Sequence, residues 1–411
     1  MARLILGPIL RHVGQTEATV WVETDRPCQV TVLGCTVRTF EILGHHYGLV
    51  LVTDLAPGSR QVYSVELDGQ RAWPLPDSPF PPSCIRTVGP GDPVRILFGS
   101  CRVAAPHLPP HTLHPDRHEL GRGVDALAAM AEMLRTAGPD GLPHLIVHGG
   151  DQVYSDDLSP PVQAFVTRRR QTVPGPRRAV VDFEEFARLY TDAWSEPALR
   201  WLLSTVSNVM IFDDHEIHDD WNSSRAWRER MQRLPWWRDR MLAGLMSYWV
   251  YQHAGNLDSA GLAREGLLER LRLQAGDAGP VLREHAEVAL DDPASCRWSY
   301  ECSLGRVRLV VIDSRAGRVL ARGARDMLHP EAWTWLEDAM GPEADHLLVV
   351  SSLPLFLPRG LHDTEAWNEA VCEGAWGPPA VPAAERVRLA LDLEHWAAFQ
   401  RSFRRLAGDL L

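Results

Sequence analysis

Apolar and polar residues alternate in short runs along the first 90 residues of the chain. Alternation with a period of two is typical of strands that bury one face. Turn sequences that contain Gly and Pro separate the runs, which fall at residues 19–23, 29–32, 48–52 and 61–67. We therefore predict a small all-β sandwich over residues 1–90.

The pattern changes after a proline-rich stretch that extends from residue 73 to about residue 93. A strand at 94–98, a helix with apolar positions spaced over 124–134 and a strand at 144–148 have the order of a βαβ unit. We therefore predict an α/β domain over residues 93–411. Further strands are expected at 208–212, 307–312 and 346–350, and helices at about 183–205, 226–254, 261–290 and 385–407.

The composition excludes several classes of chemistry. The chain has 411 residues, and its 42 basic residues are outnumbered by 53 acidic ones, which gives a net charge of −11. Nonspecific nucleic-acid binding depends largely on neutralising phosphates, so we expect no nucleic-acid-binding module. Every basic residue is arginine, which excludes Schiff-base chemistry and a P-loop lysine.

The spacing of the cysteines and the length of the apolar runs indicate the cellular compartment of the protein. The 7 cysteines include no Cys-x-x-Cys pair, so neither a disulfide framework nor a zinc ribbon is predicted. The N-terminal residues lack a cleavage site and lead into a strand pattern, which argues against a signal peptide. No run of about 18 apolar residues occurs. We therefore predict a cytoplasmic protein without a membrane span, and its oligomeric state stays open.

Polar residues gather directly after three of the predicted strands. In open α/β sheets, ligands bind at the carboxyl ends of the strands, so these residues are expected to meet at one edge. They include a thiol, a phenol, imidazoles and several carboxylates, which is the composition of a metal site. The three clusters are GSCR at 99–102, GGDQVYSDD at 149–157 and DDHEIHDDWN at 213–222.

Each cluster also has a simpler interpretation. Asp151 after two glycines is typical of an Asx turn or a helix N-cap, and a lone cysteine such as Cys101 is more often a small buried apolar residue. The acidic run at 213–222 is also consistent with a solvated surface loop. A further alternative is a nucleophilic Cys101 with His215 or His148 as its base, although it leaves the carboxylates unexplained.

Three strings in this order resemble the motifs of the PhoD-like alkaline phosphatases and phosphodiesterases of the metallophosphoesterase superfamily. They are FGSCR at 98–102, GDQVYSD at 150–156 and FDDHE at 212–216. The resemblance extends to IDSRAGR at 312–318 and SLP at 352–354, and the β-rich region in front resembles the fibronectin type III-like N-terminal domain of such proteins. The resemblance implies a four-layer α/β/β/α catalytic domain and metal-dependent hydrolysis of phosphomonoesters or phosphodiesters.

The same resemblance implies roles for individual residues. An iron(III)-like ion and a second metal, calcium, would be bound, with the bridging position at Asp151. His215 would be the catalytic histidine, which either protonates the leaving oxygen or stabilises charge that develops on the phosphorane. The metal ligands would be Cys101, Asp151 and Tyr154 for iron, and Asp214 with Asp219 or Asp220 for calcium.

Three arginines are candidate phosphate clamps by the same resemblance. They are Arg102, Arg315 and Arg318, and a planar guanidinium matches phosphate oxygens bidentately. For Arg315 and Arg318 a structural salt bridge is an equally good interpretation.

One motif of the superfamily is not found. A Gly-Asp-x-His sequence is expected after the last strand, whereas residues 406–411 read LAGDLL and follow a predicted helix. Three interpretations stay open, namely a truncated reading, one part of a split polypeptide, or a degenerate member that has lost its second metal. The alternative to an active enzyme is accordingly an impaired family member that binds phosphate or metal.

Overall fold

The computed structural model describes residues 1–341 and 344–410. Its strands are β1 (Leu4–Val13), β2 (Ala18–Thr24), β3 (Gln29–Val32), β4 (Cys35–Arg38), β5 (Phe40–Ile42), β6 (His45–Val52), β7 (Arg60–Val62), β8 (Val65–Leu67), β9 (Gln70–Trp73), β10 (Cys84–Arg86), β11 (Ile96–Gly99), β12 (Leu145–His148), β13 (Ser207–Met210), β14 (Tyr300–Leu304), β15 (Val307–Ile312) and β16 (His346–Ser351).

The helices lie mainly in the second half of the chain, and a π-helical turn, Trp249–His253, connects two of them. They are α1 (Ala126–Thr136), α2 (Pro160–Arg169), α3 (Phe183–Trp194), α4 (Pro197–Thr205), α5 (Arg225–Gln232), α6 (Trp237–Tyr248), α7 (Ala254–Asn256), α8 (Ser259–Glu265), α9 (Leu267–Arg272), α10 (Gly279–Asp291), α11 (Pro330–Ala339), α12 (Arg359–Cys372), α13 (Val381–Ala390) and α14 (Gln400–Leu410). Within the described residues, no helix combines the length and the apolar character that a membrane crossing requires.

The N-terminal residues form two antiparallel sheets. One sheet has the strand order β1-β2-β6-β5 and the other has the order β4-β3-β8-β9. Val20 and Val50 from the first sheet and Val30 and Val65 from the second are buried in one apolar cluster. The expected small β-rich region is therefore confirmed. Part of the proline-rich stretch is also a strand, because β10 pairs with β7, and the division of the chain at residues 90–93 stays a prediction.

The rest of the chain is built on two three-stranded sheets. β11, β12 and β13 run parallel, while β15 pairs parallel with β16 and antiparallel with β14. Val147 of the first sheet and Leu309 of the second belong to the same buried apolar cluster. Ile146 packs with α1 and α4, and Val310 packs with α11 and α14. The mixed α/β content is confirmed, and this packing supports the four-layer arrangement, which we retain as a proposal.

All four predicted helical stretches are interrupted, and in two of them a break falls at a residue that disfavours a continuous helix. The stretch at 183–205 restarts at Pro197, because proline fits the first turn of a helix but not its interior. The stretch at 261–290 breaks at Gly266, whose φ of +71° is left-handed. The sequence pattern does not predict α2, α11 or α12.

A buried arginine joins the N-terminal sheet to the helical region. Arg11 on β1 is fully buried, and its Nη2 donates to the carbonyl of Gln252 (2.5 Å) and to Asn256 Oδ1 (2.8 Å). Its Nη1 donates to the carbonyl of Tyr251 (3.3 Å). Burial lowers the pKa of Arg11 to about 10, so the side chain stays charged at neutral pH.

We expect Arg11→Met to lower the free energy of unfolding by about 3 kcal/mol or more. Two backbone carbonyls would lose their donors, and a hydrogen bond to a charged group contributes about 1.5–3 kcal/mol. Urea unfolding followed by circular dichroism measures this change. Arg3→Met removes an arginine whose side chain is 77% exposed, and it should cost less than about 1 kcal/mol. Equal losses in the two variants would contradict the prediction.

Candidate metal centre

The carboxyl ends of β12 and β13 place two acidic loops side by side. β12 ends at His148, and two glycines then lead the chain to Asp151. The φ of Gly150 is +134°, a conformation that L side chains rarely adopt, and a Cβ there would lie 2.9 Å from the Cβ of Asp213. Glycine at this position therefore permits the close approach of the two loops.

Asp151 lies at the meeting point of the loops and is 3% exposed. Its Oδ1 accepts a hydrogen bond from the backbone N–H of His215 (3.2 Å), and its Oδ2 accepts one from the Tyr154 hydroxyl (3.4 Å). Burial, followed by the charges of neighbouring acidic residues, raises its pKa well above the usual value. The ionised form of Asp151 is therefore costly unless positive charge compensates it.

Two groups of side chains have donor atoms close enough to share a cation. Carboxylate oxygens of Asp151, Asp213 and Asp214 lie within 4.8 Å of one another, and all three residues are buried. Asp214 also belongs to a second group, with His215 and Asp219. Burial raises the pKa of Asp214 to about 7. The sequence prediction included Asp151 and Asp214 but not Asp213, which the structure adds.

His215 is held by a carboxylate on the neighbouring loop. Its Nδ1 lies 2.7 Å from Asp156 Oδ1, and its ring lies against the ring of Tyr154 with centroids 4.3 Å apart. Burial lowers the pKa of His215, but hydrogen bonding to Asp156 and the charge of Asp214 outweigh it and raise the pKa to about 10. The imidazole is therefore protonated at neutral pH.

Cys101 and Tyr154 lie next to Asp151, and their assignment as metal ligands stays a prediction. Cys101 is an exposed residue, but neighbouring atoms partly desolvate its thiol, and this effect, followed by the charge of Asp151, raises the pKa of Cys101 to about 12. Partial burial and the same carboxylate also raise the pKa of Tyr154. A thiolate or phenolate here requires a compensating cation, and a metal ion supplies that charge.

Asp219 and Asp220 are the two alternative ligands in the acidic run at 213–222. The Asp219 side chain is 62% exposed, and its Oδ1 lies 3.8 Å from His215 Nε2. Asp220 donates its backbone N–H to Asp214 Oδ2 (2.8 Å). Burial raises the pKa of Asp220 to about 7. Both residues thus border Asp214, and the choice between them stays a prediction.

Arg102 is anchored beside Cys101. Its Nε donates to Asp125 Oδ2 (2.8 Å), and its Nη1 donates to the carbonyl of Ala193 (2.8 Å). Among the described residues, no acceptor is hydrogen-bonded to its Nη2. This guanidinium group therefore retains a donor for a ligand.

Arg315 and Arg318 are buried in an ion-pair network with Glu394. Arg315 is 1% exposed, contacts Asp213 through Nε, and lies 3.4 Å from Asp214 Oδ1. Its Nη2 donates to Glu394 Oε1 (2.7 Å), while Arg318 lies 3.5 Å from the same carboxylate. These contacts favour the salt-bridge interpretation of both arginines, and their role as phosphate clamps stays a prediction.

The cysteine-nucleophile alternative finds no support in the contacts. In the described part of the chain, no hydrogen bond joins Cys101 to a histidine, and Sγ lies 3.2 Å from Ser100 Oγ instead. His148 is buried and is hydrogen-bonded to Asn208 Oδ1 (2.9 Å). Burial lowers the pKa of His148 to about 4.

Sequence reasoning missed four acidic residues of the site. Three of them lie inside the motif strings, where proximity to the predicted ligands was the available signal. The fourth, Glu394, is 79 residues from its partner Arg315, and no local pattern marks it. The four residues are Asp156, Asp213, Glu216 and Glu394.

The donor set fits metal ions. Burial raises the pKa of Asp151 and of Asp214, and the raised pKa of each group indicates an excess of buried negative charge. Carboxylate oxygens are hard ligands, whereas the adjacent thiol of Cys101 favours a transition metal. The residues present are therefore suited to hold cations, with Asp214 common to both groups.

We expect Gly150→Ala to disrupt the site and to lower the free energy of unfolding by about 1–3 kcal/mol, because the residue would be strained at a positive φ. Chemical denaturation and metal titration measure the two effects. Gly149→Ala is the matched control, since a Cβ there would only reach ordinary contact, 3.6 Å from the carbonyl oxygen of Gly99. If both variants behave alike, the close approach at Gly150 does not matter.

Two family models match parts of the chain. Residues 1–85 match a domain of unknown function, DUF7800, and residues 123–258 match the PhoD-like phosphatase family. No curated protein matches the chain. The second match includes the loops that carry Asp151 and Asp214.

A solved structure of PhoD has a related fold. It superposes with a TM-score of 0.55 at 13% sequence identity, and the match covers 86% of this chain. The chain spans 63% of the length of that protein. The family match and the common fold confirm the resemblance that the motifs predicted, and this chain is similar to PhoD-like phosphatases.

Proposed function

We propose that the protein hydrolyses phosphate esters and that it does so with bound metal ions. The observation that carries the proposal is the group of buried carboxylates, Asp151, Asp213 and Asp214, next to a protonated His215. Phosphate-ester hydrolysis requires neutralisation of the phosphoryl oxygens and a proton for the leaving group. Cations held by this cluster and the imidazolium would meet these requirements.

In this proposal Cys101, Asp151 and Tyr154 hold a ferric ion, with calcium at Asp214 and Asp219. Hard carboxylate and phenolate oxygens suit both ions, and the thiol favours the transition metal at its own position. When bound, the metals would activate water as the nucleophile and neutralise charge on the phosphoryl oxygens.

His215 acts as the general acid. Asp156 accepts the hydrogen bond from Nδ1 at 2.7 Å, and this orients the ring with Nε2 toward the acidic run, 3.8 Å from Asp219 Oδ1. In this proposal Nε2 transfers its proton to the leaving oxygen. In the metal-free protein the pKa of His215 is raised to about 10, and the hydrogen bond to Asp156 is the largest cause that raises it, so Asp156 favours retention of the proton at neutral pH. Asp156 thereby sets both the orientation and the charge of the imidazole.

Arg102 contacts the substrate in this proposal. A cleft of about 620 Å³ lies beside Cys101 and Arg102 and is large enough for the organic group of an ester. A cavity of similar size, about 630 Å³, is lined by Phe183, Trp236 and Met246 and contains none of the predicted site residues. We therefore assign the substrate to the first cleft.

The proposal also includes four predictions made from the sequence. They are the ions calcium and iron, a phosphomonoester or phosphodiester substrate, a cytoplasmic location and the absence of a nucleic-acid-binding module. Because the chain spans 63% of the length of PhoD, the activity is tested on this chain itself.

The test is hydrolysis of p-nitrophenyl phosphate and bis(p-nitrophenyl) phosphate by the purified chain with and without a chelator. We expect turnover that the chelator abolishes and that calcium with iron restores. Activity that persists with the chelator would reject metal dependence. Metal binding without any turnover would instead favour the impaired family member.

We expect Asp151→Asn to lower kcat/KM by more than about 100-fold, because loss of residues that only orient ligands already costs about 10- to 100-fold. Steady-state kinetics on the diester measure the change. Asp157→Asn is the matched control on the same loop, since the Asp157 side chain is 48% exposed and pairs with Arg122 (3.1 Å). Wild-type activity in the Asp151 variant would contradict its assignment as a ligand.

Asp156→Asn should move the alkaline limb of the kcat profile to lower pH. Without the Asp156 carboxylate, the pKa of His215 falls from about 10 toward its ordinary value of about 6.5, so the proton is lost earlier. The stability that the raised pKa contributes is fully present below about pH 6.5 and is lost as the pH rises through 10. An unchanged limb would reject His215 as the acid.

A further inference from the structure

We propose that Glu216 is the positioning residue that holds the two metal-binding loops in register. The inference rests on the proposed function, because it concerns the geometry of the same site. Glu216 is 1% exposed and follows His215 directly. It is not among the residues whose donor atoms cluster around a possible cation.

Both carboxylate oxygens of Glu216 are occupied by N–H donors. Oε2 accepts from the backbone N–H groups of Asp151 (3.1 Å) and Asp213 (2.9 Å). Oε1 accepts from the backbone N–H of Gln152 (2.7 Å) and from Gln252 Nε2 (3.0 Å). One side chain therefore binds the loop after β12, the loop after β13 and the π-helical turn.

The backbone N–H groups of Asp151, Gln152 and Asp213 lie beyond the ends of their strands. A buried N–H group without a partner costs free energy comparable to a lost hydrogen bond. Hydrogen bonds to an ionised acceptor are about twice as strong as those between neutral groups. The Glu216 carboxylate thus supplies the pairing that the sheet no longer supplies at these positions.

The contacts separate the role of Glu216 from that of its neighbours. Its two oxygens accept hydrogen bonds from four N–H donors. Asp151 and Asp214, by contrast, each offer an oxygen to the group of carboxylates that lie within 4.8 Å of one another. Glu216 fixes the peptide groups on which Asp151 and Asp213 are carried. Changing it should therefore alter the spacing of the ligands, and hence the metal affinity.

The substitution Glu216→Gln tests this role. The amide retains one acceptor oxygen and presents an NH₂ group to the other pair of N–H donors. Either orientation therefore removes two of the four hydrogen bonds, one of them from the loop after β12. We expect the chelator-stripped variant to bind Co²⁺ about 10- to 100-fold more weakly than the wild type, with an altered visible absorption spectrum. Titration of the full chain with Co²⁺, followed by absorption, measures both effects.

Glu185→Gln is the matched control. Glu185 is also fully buried and accepts one backbone N–H, that of Val181 (2.8 Å), but its other contacts are with Arg169 and Arg170. The control should lose stability while it keeps the affinity for Co²⁺ and the absorption spectrum. Wild-type affinity and an unchanged spectrum in Glu216→Gln would overturn the proposal.

Amide hydrogen exchange on the wild-type protein provides a test that does not depend on folding of the variant. The amides of Asp151, Gln152 and Asp213 should exchange as slowly as those of β12, although they lie in loops. Exchange at the rate of exposed loops would overturn the proposal even if Glu216→Gln does not fold.

The outcomes separate this inference from the proposed function. If the wild type binds Co²⁺ but hydrolyses no ester, the proposed function fails and a weakened Glu216→Gln variant still supports the positioning role. If the wild type is a metal-dependent esterase and Glu216→Gln binds Co²⁺ normally, only the positioning role fails. A wild type that binds no Co²⁺ and hydrolyses no ester would overturn both.

Discussion

The crowding of buried carboxylates at the ends of β12 and β13 is the constraint on which the site depends. Asp151, Asp213 and Asp214 offer oxygens within 4.8 Å of one another, and such a group is unfavourable without compensating positive charge. Arg315 offsets part of this charge, because it contacts Asp213 and lies 3.4 Å from Asp214. The remaining negative charge makes the cluster suitable for cations.

The same constraint explains the C-terminal contact at Glu394. An arginine buried beside Asp213 and Asp214 would itself need further acceptors, and Glu394 provides them. Breaking a buried ion pair leaves an uncompensated charge, so Arg315 would release Glu394 only at a high energetic cost. This is the physical reason to prefer Arg102, which retains a donor, as the residue that contacts a phosphate group.

The support of the site extends to the N-terminal sheets through the π-helical turn. The side chain of Gln252 donates to Glu216, and its backbone carbonyl accepts from the buried Arg11 of β1. A change in the N-terminal β-rich region can therefore reach the loops that carry the ligands. The β-rich region contributes to the position of the site although it supplies none of the candidate ligands.

Local patterns in the sequence are sufficient to predict the strands at 29–32 and 307–312, the loops after the parallel strands and most candidate ligands, because period-two patterns and strand-end motifs involve only neighbouring residues. The roles that depend on residues distant in the sequence are set by the tertiary structure. It placed Glu394 against Arg315, oriented His215 through Asp156, and gave Glu216 its four donors. These roles depend on the pairing of buried charges and N–H groups across loops, which no local pattern along the chain records.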